Sequence, residues 1–264
     1  MNLCIKSAIV SVLAMTFSLP SVAQNAQQTR GLEIAKARKV ADQGWVDSQA
    51  SMEMLLSNKQ GETSLRQLRM KNLEVESDGD KSISIFDSPK DIRGAAFLTF
   101  AHVQGADDQW LYLPALKRVK RISSRNKSGP FMGSEFAYED LSSFEVEKYT
   151  YRYLGDEPVG TEASFILESV PTDKYSGYSK LVTWLDKDDY RVHKAQYFDR
   201  KGSLLKTLTA SNYMQYLDKY WRAHNLKMVN HQTGKSTLLT WDSYQFMTGL
   251  KESDFNKNRL KRAR

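Results

Sequence analysis

The sequence TGKST at residues 233–237 looks like a phosphate-binding loop, because it ends as the Walker A motif ends. That motif needs a glycine five residues before Gly234 and a helix directly after it. Val229 stands at the first of these positions, and residues 237–246 alternate apolar and polar side chains as a strand does. The sequence therefore predicts a hairpin turn at Gly234 and no nucleotide site.

Metal and nucleophile chemistry would need residues that this sequence does not offer in a usable pattern. The Gly-x-Ser-x-Gly elbow is absent, and the single cysteine is Cys4. No histidine pair shares one strand face, which is what a zinc site requires; the four histidines are His102, His193, His224 and His231. We predict no catalytic residue, no metal and no cofactor. One enzymatic alternative stays open, a hydrolase of envelope lipids with a carboxylate pair that the sequence does not single out.

A basic stretch at residues 117–127 is more informative. Its strand part carries cations on both faces, and an unpaired charge is too costly to bury; these cations are Lys117, Arg118, Lys120 and Arg121. We therefore expect an edge or rim strand. One interpretation is a surface for anionic headgroups or for an acidic partner. The other is protection of a sheet edge against unwanted pairing, with the acidic residues of 135–147 as ion-pair partners.

Bulky apolar residues, several of them flexible, recur where a ligand cavity would need them. Methionine adapts to irregular ligands, although it also fills ordinary cores. The sequence predicts an apolar cavity lined by Met52, Met54, Leu56, Phe97, Phe100, Trp110, Tyr112, Phe131, Met132 and Phe136. A second aromatic stripe, residues 149, 151 and 153, suits either a cavity mouth or a sheet face that a helix covers.

The ends and the charge of the chain restrict its location. Residues 1–23 have a basic start, an apolar run and small residues up to Ala23, as a cleavable export signal does. We expect one domain over 24–264, in an exported protein of the periplasm. The net charge of +7 falls to +6 once Lys6 is removed. In that compartment, basic charge indicates anionic lipid or an acidic protein surface, and no nucleic acid.

Most of the chain has the period-2 pattern of half-buried strands. One amphipathic segment, residues 31–43, predicts a helix. Short turns separate the strands of the second half, at 186–189, 199–202, 217–219 and 233–235, so neighbouring strands must be antiparallel. The prediction is a mainly β (α+β) fold with one large antiparallel sheet of roughly ten strands, a size at which open sheets curl.

Several elements between residues 89 and 141 follow one another in a specific order. They are PKDIRG at 89–94, WLYLP at 110–114, RVKRI at 118–122, FMGSEF at 131–136 and YED at 138–140. Together they resemble the signature of the LolA-like outer-membrane lipoprotein-sorting proteins of the periplasm. Weaker similarity continues through the 199–202 turn to the region 241–255.

The resemblance implies a curved antiparallel half-barrel, with a few helices covering its concave face and a hydrophobic cavity for acyl chains. It implies a monomeric carrier that moves a lipid or lipoprotein between the inner and outer membrane, with peripheral membrane contact at most. Relatives in this branch often accompany a resistance-nodulation-division (RND, MMPL-type) transporter, so such a transporter and an outer-membrane acceptor are the expected partners. The alternative is an accessory or scaffold subunit of an RND-type transporter that transfers no cargo itself.

Overall fold

The computed structural model describes residues 20–262. Residues 1–19 of the predicted export signal lie outside this range. Within this range thirteen strands form one antiparallel sheet, in the order β6-β5-β4-β3-β2-β1-β13-β12-β11-β10-β9-β8-β7. The strands are β1 Asp47–Ser57, β2 Thr63–Leu73, β3 Lys81–Ser88, β4 Ala96–Phe100, β5 Asp108–Leu113, β6 Arg118–Ile122, β7 Tyr149–Asp156, β8 Ser164–Pro171, β9 Tyr178–Asp186, β10 Val192–Asp199, β11 Leu204–Tyr216, β12 Tyr220–Asn230 and β13 Ser236–Phe246.

The helical elements of this range are one α-helix and several short 3-10 turns. Helix α1 spans Pro20–Ala41, and the C-terminal 3-10 helix spans Lys257–Arg262. The remaining 3-10 turns are Pro114–Leu116, Ser124–Asn126, Phe131–Gly133, Tyr138–Leu141, Val146–Lys148 and Glu252–Asp254. Within residues 20–262, no helix combines the length and the apolar character needed to cross a bilayer.

The period-2 pattern produces the strands as predicted. In β1, Met52 and Met54 are buried while Ser51 and Glu53 are exposed, because successive side chains point to opposite faces of the sheet. The predicted hairpin at Gly234 joins β12 to β13. The sheet has thirteen strands where the sequence predicted roughly ten.

One connection does not follow the short-turn pattern. β6 and β7 are consecutive in the chain but lie at the two opposite edges of the sheet. The chain between them, residues 123–148, must therefore pass over one whole face of the sheet. We call it the crossing segment.

Contacts of the crossing segment show that the sheet curves around it. The Tyr138 ring lies 5.5 Å from the Phe97 ring of β4, while Asp140 accepts a hydrogen bond from the Tyr178 hydroxyl of β9 at 2.8 Å. β4 and β9 are eight positions apart in the strand order, which is about 38 Å along a flat sheet. Tyr138 and Asp140 are two residues apart, so only a sheet that curves toward them brings both strands into reach. The sheet is an open half-barrel, as the family resemblance implied, and the crossing segment fills its concave side.

Helix α1 packs at the β7–β8 edge and covers the aromatic stripe of β7. Its Ile34 and Ala35 are buried against Tyr151 and Leu167. Gly31 allows this approach, because a Cβ atom at that position would lie 2.9 Å from the backbone nitrogen of Tyr153. Of the two possibilities that the sequence left for the stripe, the structure shows the face covered by a helix.

Candidate functional site

The predicted cavity residues divide between the two faces of the sheet. Seven of them belong to the apolar cluster of the concave face, namely Met52, Met54, Leu56, Phe97, Phe131, Met132 and Phe136. Phe100, Trp110 and Tyr112 differ from the prediction, because they pack on the opposite face with Phe255 and Leu260. The register explains this division: Phe97 pairs with Leu111 and Leu98 with Trp110, so Phe97 and Trp110 point in opposite directions.

One aromatic side chain of the crossing segment inserts into the apolar cluster of the concave face. Phe131 is 2% exposed, and its ring lies 5.0 Å from that of Phe97 and 5.9 Å from that of Phe86. Arg66 of β2 donates a hydrogen bond to the Met132 carbonyl oxygen. Part of the predicted cavity is therefore occupied by the protein's own chain.

A buried ion pair fixes the middle of the crossing segment. Lys206 Nζ lies 2.6 Å from Asp140 Oδ2, and both side chains are 4% exposed. The same ammonium donates to the Glu135 carbonyl oxygen at 2.9 Å, and the Ala137 backbone N–H donates to Asp140 at 2.7 Å. Asp140 is thus saturated by donors from three parts of the chain, which is the condition for a stable buried charge.

Sequence reasoning did not single out Lys206. A signal was present, because Lys206 shares a strand face with Leu208 and Ala210 and so places a cation on an apolar face of β11. Its partner is 66 positions away in the chain, and no local pattern indicates that pairing.

A pocket of about 460 Å³ opens between the β5–β6 edge and the crossing segment. This volume lies within the usual range of small-ligand pockets. Apolar side chains of Leu111, Leu113, Ile122 and Tyr138 form part of its wall, and Lys120 and Arg125 add cationic groups. The pocket therefore combines an apolar wall with positive charge, the two features that an amphiphile with an anionic headgroup requires.

The predicted edge position of the basic stretch is confirmed. β6 is the outermost strand at its end of the sheet, and Lys117, Arg118, Lys120 and Arg121 are all exposed. Arg121 pairs with Asp108 of β5. Within the described residues the acidic run contacts this stretch only through Lys127 and Glu139, 3.9 Å apart. Most of these acidic groups bind elsewhere, since Asp140 pairs with Lys206 and Glu145 with Lys39.

Glu162, Asp186 and His193 bring three possible metal-ligating atoms within 4.8 Å of one another. A cation is already present among them, because the Arg191 guanidinium lies 3.4 Å from both Glu162 and Asp186 and 3.0 Å from Asp189. His193 Nε2 is 2.9 Å from Asp186. The cluster is explained as an ion-pair network at the β9–β10 turn.

Comparison with solved structures agrees with this geometry. An outer membrane lipoprotein-sorting protein domain from Vibrio parahaemolyticus is 64% identical, with a TM-score of 0.87 over 89% of this chain and 99% of that chain. A DUF1329 family protein from Desulfovibrio piger is 27% identical, with a TM-score of 0.83 over 89% and 99%. A LolA superfamily protein from Nitrosomonas europaea shares the fold at 20% identity, with a TM-score of 0.69 over 86% and 98%.

A family model described as "-like: Uncharacterized protein" matches residues 78–262. No curated protein matches the chain. The fold is that of the LolA superfamily of half-barrels. The chain belongs to the LolA-like outer-membrane lipoprotein-sorting protein family, as the elements between residues 89 and 141 predicted. Those elements include β5, β6 and the first part of the crossing segment, so the residues that identify the family also build the pocket.

Proposed function

We propose that this protein is a periplasmic carrier that binds the acyl chains of a lipid or lipoprotein and moves them between the inner and outer membrane. The pocket between β5, β6 and the crossing segment is the observation that supports this function best. Its lining combines apolar side chains with the cations Lys120 and Arg125, and the residues that line it lie in the family's characteristic region. The proposal involves binding and release, and no catalysis.

The energetics of an acyl chain require such a site. Each methylene group that leaves water contributes about 0.8 kcal/mol, so a chain of a dozen carbons is unfavourable in water by on the order of 10 kcal/mol. An apolar pocket that encloses part of the acyl chain offsets part of that cost. Because the rest of the chain is not enclosed, the ligand can still be released to a better acceptor.

The basic edge strand gives the proposed carrier a means of reaching its donor or acceptor membrane. Lys117, Arg118 and Lys120 are exposed at the edge next to the pocket. Each such cation near an anionic bilayer surface contributes roughly 1 kcal/mol of attraction, which salt weakens. Contact of this kind is peripheral and reversible, as a carrier requires.

One observation favours the alternative function, an accessory or scaffold subunit of an RND-type transporter. The centre of the concave face is filled by Phe131 and the buried Lys206–Asp140 pair, which leaves less internal space than an empty half-barrel would offer. A scaffold needs the surface of the fold but no internal space. A carrier therefore needs a pocket that a ligand can enter, whereas a scaffold subunit does not.

A substitution that fills the pocket tests the carrier function. Leu113 lines the pocket, while Leu116, three residues later, is 64% exposed and lies outside the pocket lining. Leu113→Trp should weaken binding of a fluorescent fatty-acyl probe about tenfold, because it displaces roughly two methylene groups of ligand. The matched variant Leu116→Trp should bind as the parent does. Equal probe affinity in both variants, at unchanged melting temperature, would contradict binding in this pocket and favour the scaffold.

A further inference from the structure

The pocket beside β6 contains two cations that have no carboxylate partner. Lys120 and Arg125 both line it, and within residues 20–262 no carboxylate oxygen lies within 4.0 Å of either cationic group. Arg121 and Lys127 of the same basic stretch differ, because each pairs with an aspartate, Lys127 at 2.7 Å, and neither lines the pocket. Lys117 has no such partner either, but it also lies outside the pocket lining. The free positive charge of the pocket is thus that of two side chains.

The pairing of β5 with β6 shows which side of the strand faces the pocket. Lys120 lies opposite Leu111, and Arg121 lies opposite Trp110. Directly paired residues share one face of a sheet, so Lys120 is on the face of Leu111, which belongs to the concave apolar cluster. Arg121 is on the other face, with Trp110. Arg118 shares the face of Lys120 at the start of β6, but it does not line the pocket.

Arg125 contacts an aromatic ring of the β8–β9 connection. Its guanidinium carbon lies 5.8 Å from the centre of the Tyr175 ring, within the range of a cation–π contact. Such a contact leaves the positive charge in place, because the ring has no net charge. Asn126 and Ser128 also line the pocket, and neither side chain makes a hydrogen bond within the described residues. They add an amide and a hydroxyl donor beside the two cations.

The carboxylates near the pocket are bound by other groups. Among the described residues that line the pocket, none is acidic. Asp107 and Glu139 lie in the adjoining region around Ile122. Asp107 pairs with Lys148, and Glu139 accepts two hydrogen bonds at 2.8 Å, from the Ser176 hydroxyl and from a backbone N–H. An anionic group in the pocket would therefore meet cations and no competing free carboxylate.

The apolar wall of the pocket continues into the concave cluster. Leu111 and Ile122 are buried members of that cluster, and Tyr138 packs against it. The Tyr138 ring lies 5.9 Å from the ring of Phe131, which is inserted into the cluster. Apolar surface and unpaired cations therefore adjoin the same volume of about 460 Å³.

We propose that Lys120 and Arg125 bind the anionic headgroup, a carboxylate or a phosphate, of the amphiphile that the protein carries. Ammonium and guanidinium groups bind such oxygens through charge-assisted hydrogen bonds. The tail of the ligand lies against Leu111, Ile122 and Tyr138. This inference rests on the proposed carrier function, and it adds that the pocket prefers anionic ligands to neutral ones.

Four probes separate recognition of the headgroup from binding of the tail. Dodecyl phosphate and dodecanoate carry both features, dodecanol carries the tail alone, and inorganic phosphate carries the anion alone. In titration calorimetry the parent protein should bind the anionic amphiphiles at least about tenfold more tightly than dodecanol, since charge-assisted hydrogen bonds are the stronger class. It should bind inorganic phosphate far more weakly than dodecanol. The ratio of the two anionic affinities then distinguishes a phosphate from a carboxylate headgroup.

Removal of the two cations should remove the preference. The double variant Lys120→Met with Arg125→Met should bind all three alkyl probes as the parent binds dodecanol. The matched control is Lys174→Met, because this ammonium lies 5.2 Å from the centre of the same Tyr175 ring but outside the pocket lining; it should keep the preference. All three positions are exposed, so the melting temperatures should equal that of the parent. The charge-conserving double variant Lys120→Arg with Arg125→Lys should retain the preference.

Equal affinity of the parent for the anionic amphiphiles and dodecanol would overturn the headgroup site while leaving the carrier function standing. A preference that survives the double methionine variant, or that Lys174→Met removes to the same extent, would also overturn it. Inorganic phosphate bound as tightly as dodecyl phosphate would overturn it in favour of a free-anion site. A parent protein that binds no alkyl probe contradicts the carrier function itself.

Discussion

The two faces of the half-barrel are both apolar, but different structures cover them. The opposite face is covered by the C-terminal residues 250–262, where Phe255 and Leu260 pack with Leu98 and Trp110. The polar contacts of this cover involve the exposed residues Glu252, which pairs with Lys81 at 3.1 Å, and Lys257, which lies 5.6 Å from the centre of the Trp110 ring. The concave face is covered by the crossing segment, which is held by a buried ion pair as well as by apolar packing. A cover held by apolar packing stabilises the fold, whereas a cover that a buried ion pair also fixes can leave space beside it. The pocket lies on the concave side, next to this second cover.

The largest expected effect comes from breaking the polar attachment of the concave cover. Lys206→Met leaves Asp140 buried and without its counter-ion, and the loss of one member of a buried pair costs about 3–5 kcal/mol. We expect the free energy of unfolding, measured by urea denaturation, to fall by that amount. The double variant Lys206→Met with Asp140→Asn should recover part of the loss, because the uncompensated charge is gone.

Leu260→Ala on the opposite face gives the matched comparison. Leu260 is fully buried, and its truncation should cost about 2–5 kcal/mol without changing the affinity for an acyl probe. Lys206→Met should change both stability and binding, since it releases the segment that lines the pocket. If Lys206→Met costs less than about 1 kcal/mol, the ion pair does not hold the concave cover.

A smaller effect concerns pH and the region where α1 meets the sheet. Burial raises the pKa of Asp80 from 3.8 to about 6, against the opposing effect of Lys39. The folded protein therefore holds this proton more tightly than the unfolded chain does, and stability decreases as the pH rises between these two values. Asp80→Asn should remove that decrease and raise stability at pH 7.5 by about 1 kcal/mol, because the side chain is only partly buried.

Thermal unfolding at pH 4.5 and pH 7.5 measures this difference. The control is Glu76→Gln, which removes a carboxylate from an exposed position nearby and should leave the pH dependence as in the parent. An Asp80→Asn variant with the parent's slope between the two pH values would show that Asp80 titrates normally.

The smallest expected effect on stability is at the basic edge. Reversing the charge of Arg118 and Lys120 to Glu should change the free energy of unfolding by no more than about 0.5 kcal/mol, since both residues are exposed. Binding to anionic vesicles at low ionic strength should nevertheless fall, and the difference should disappear at high salt. The control reverses two exposed lysines on turns elsewhere, Lys59 and Lys235. Equal vesicle binding by both double variants would leave edge protection as the role of the strand.

Residue patterns predicted those parts of the fold that depend on neighbours in the chain. The Met52–Leu56 face, the hairpin at Gly234 and the edge position of the basic strand follow from alternation, turn residues and the cost of burying charge. The predicted helix 31–43 lies largely within the observed helix Pro20–Ala41. The periodicity of the apolar residues did not predict where the observed helix starts.

Other features of the fold and the site depend on contacts between residues that are far apart in the sequence, and no local pattern predicts those contacts. Phe97 and Trp110 are both bulky and apolar, and only the register between β4 and β5 shows that they face opposite sides. Asp140 has no local sign of its pairing with Lys206.

The central claim is that the protein carries an acyl-chain amphiphile in its pocket. Native mass spectrometry of the protein isolated from its native host tests this claim most directly. We predict a bound species with the mass of a lipid or of an acylated protein, which is released on collisional activation. Its occupancy should be lower in Leu113→Trp and unchanged in Leu116→Trp. A bare polypeptide mass for the parent, under conditions that preserve known lipid complexes, would contradict the claim.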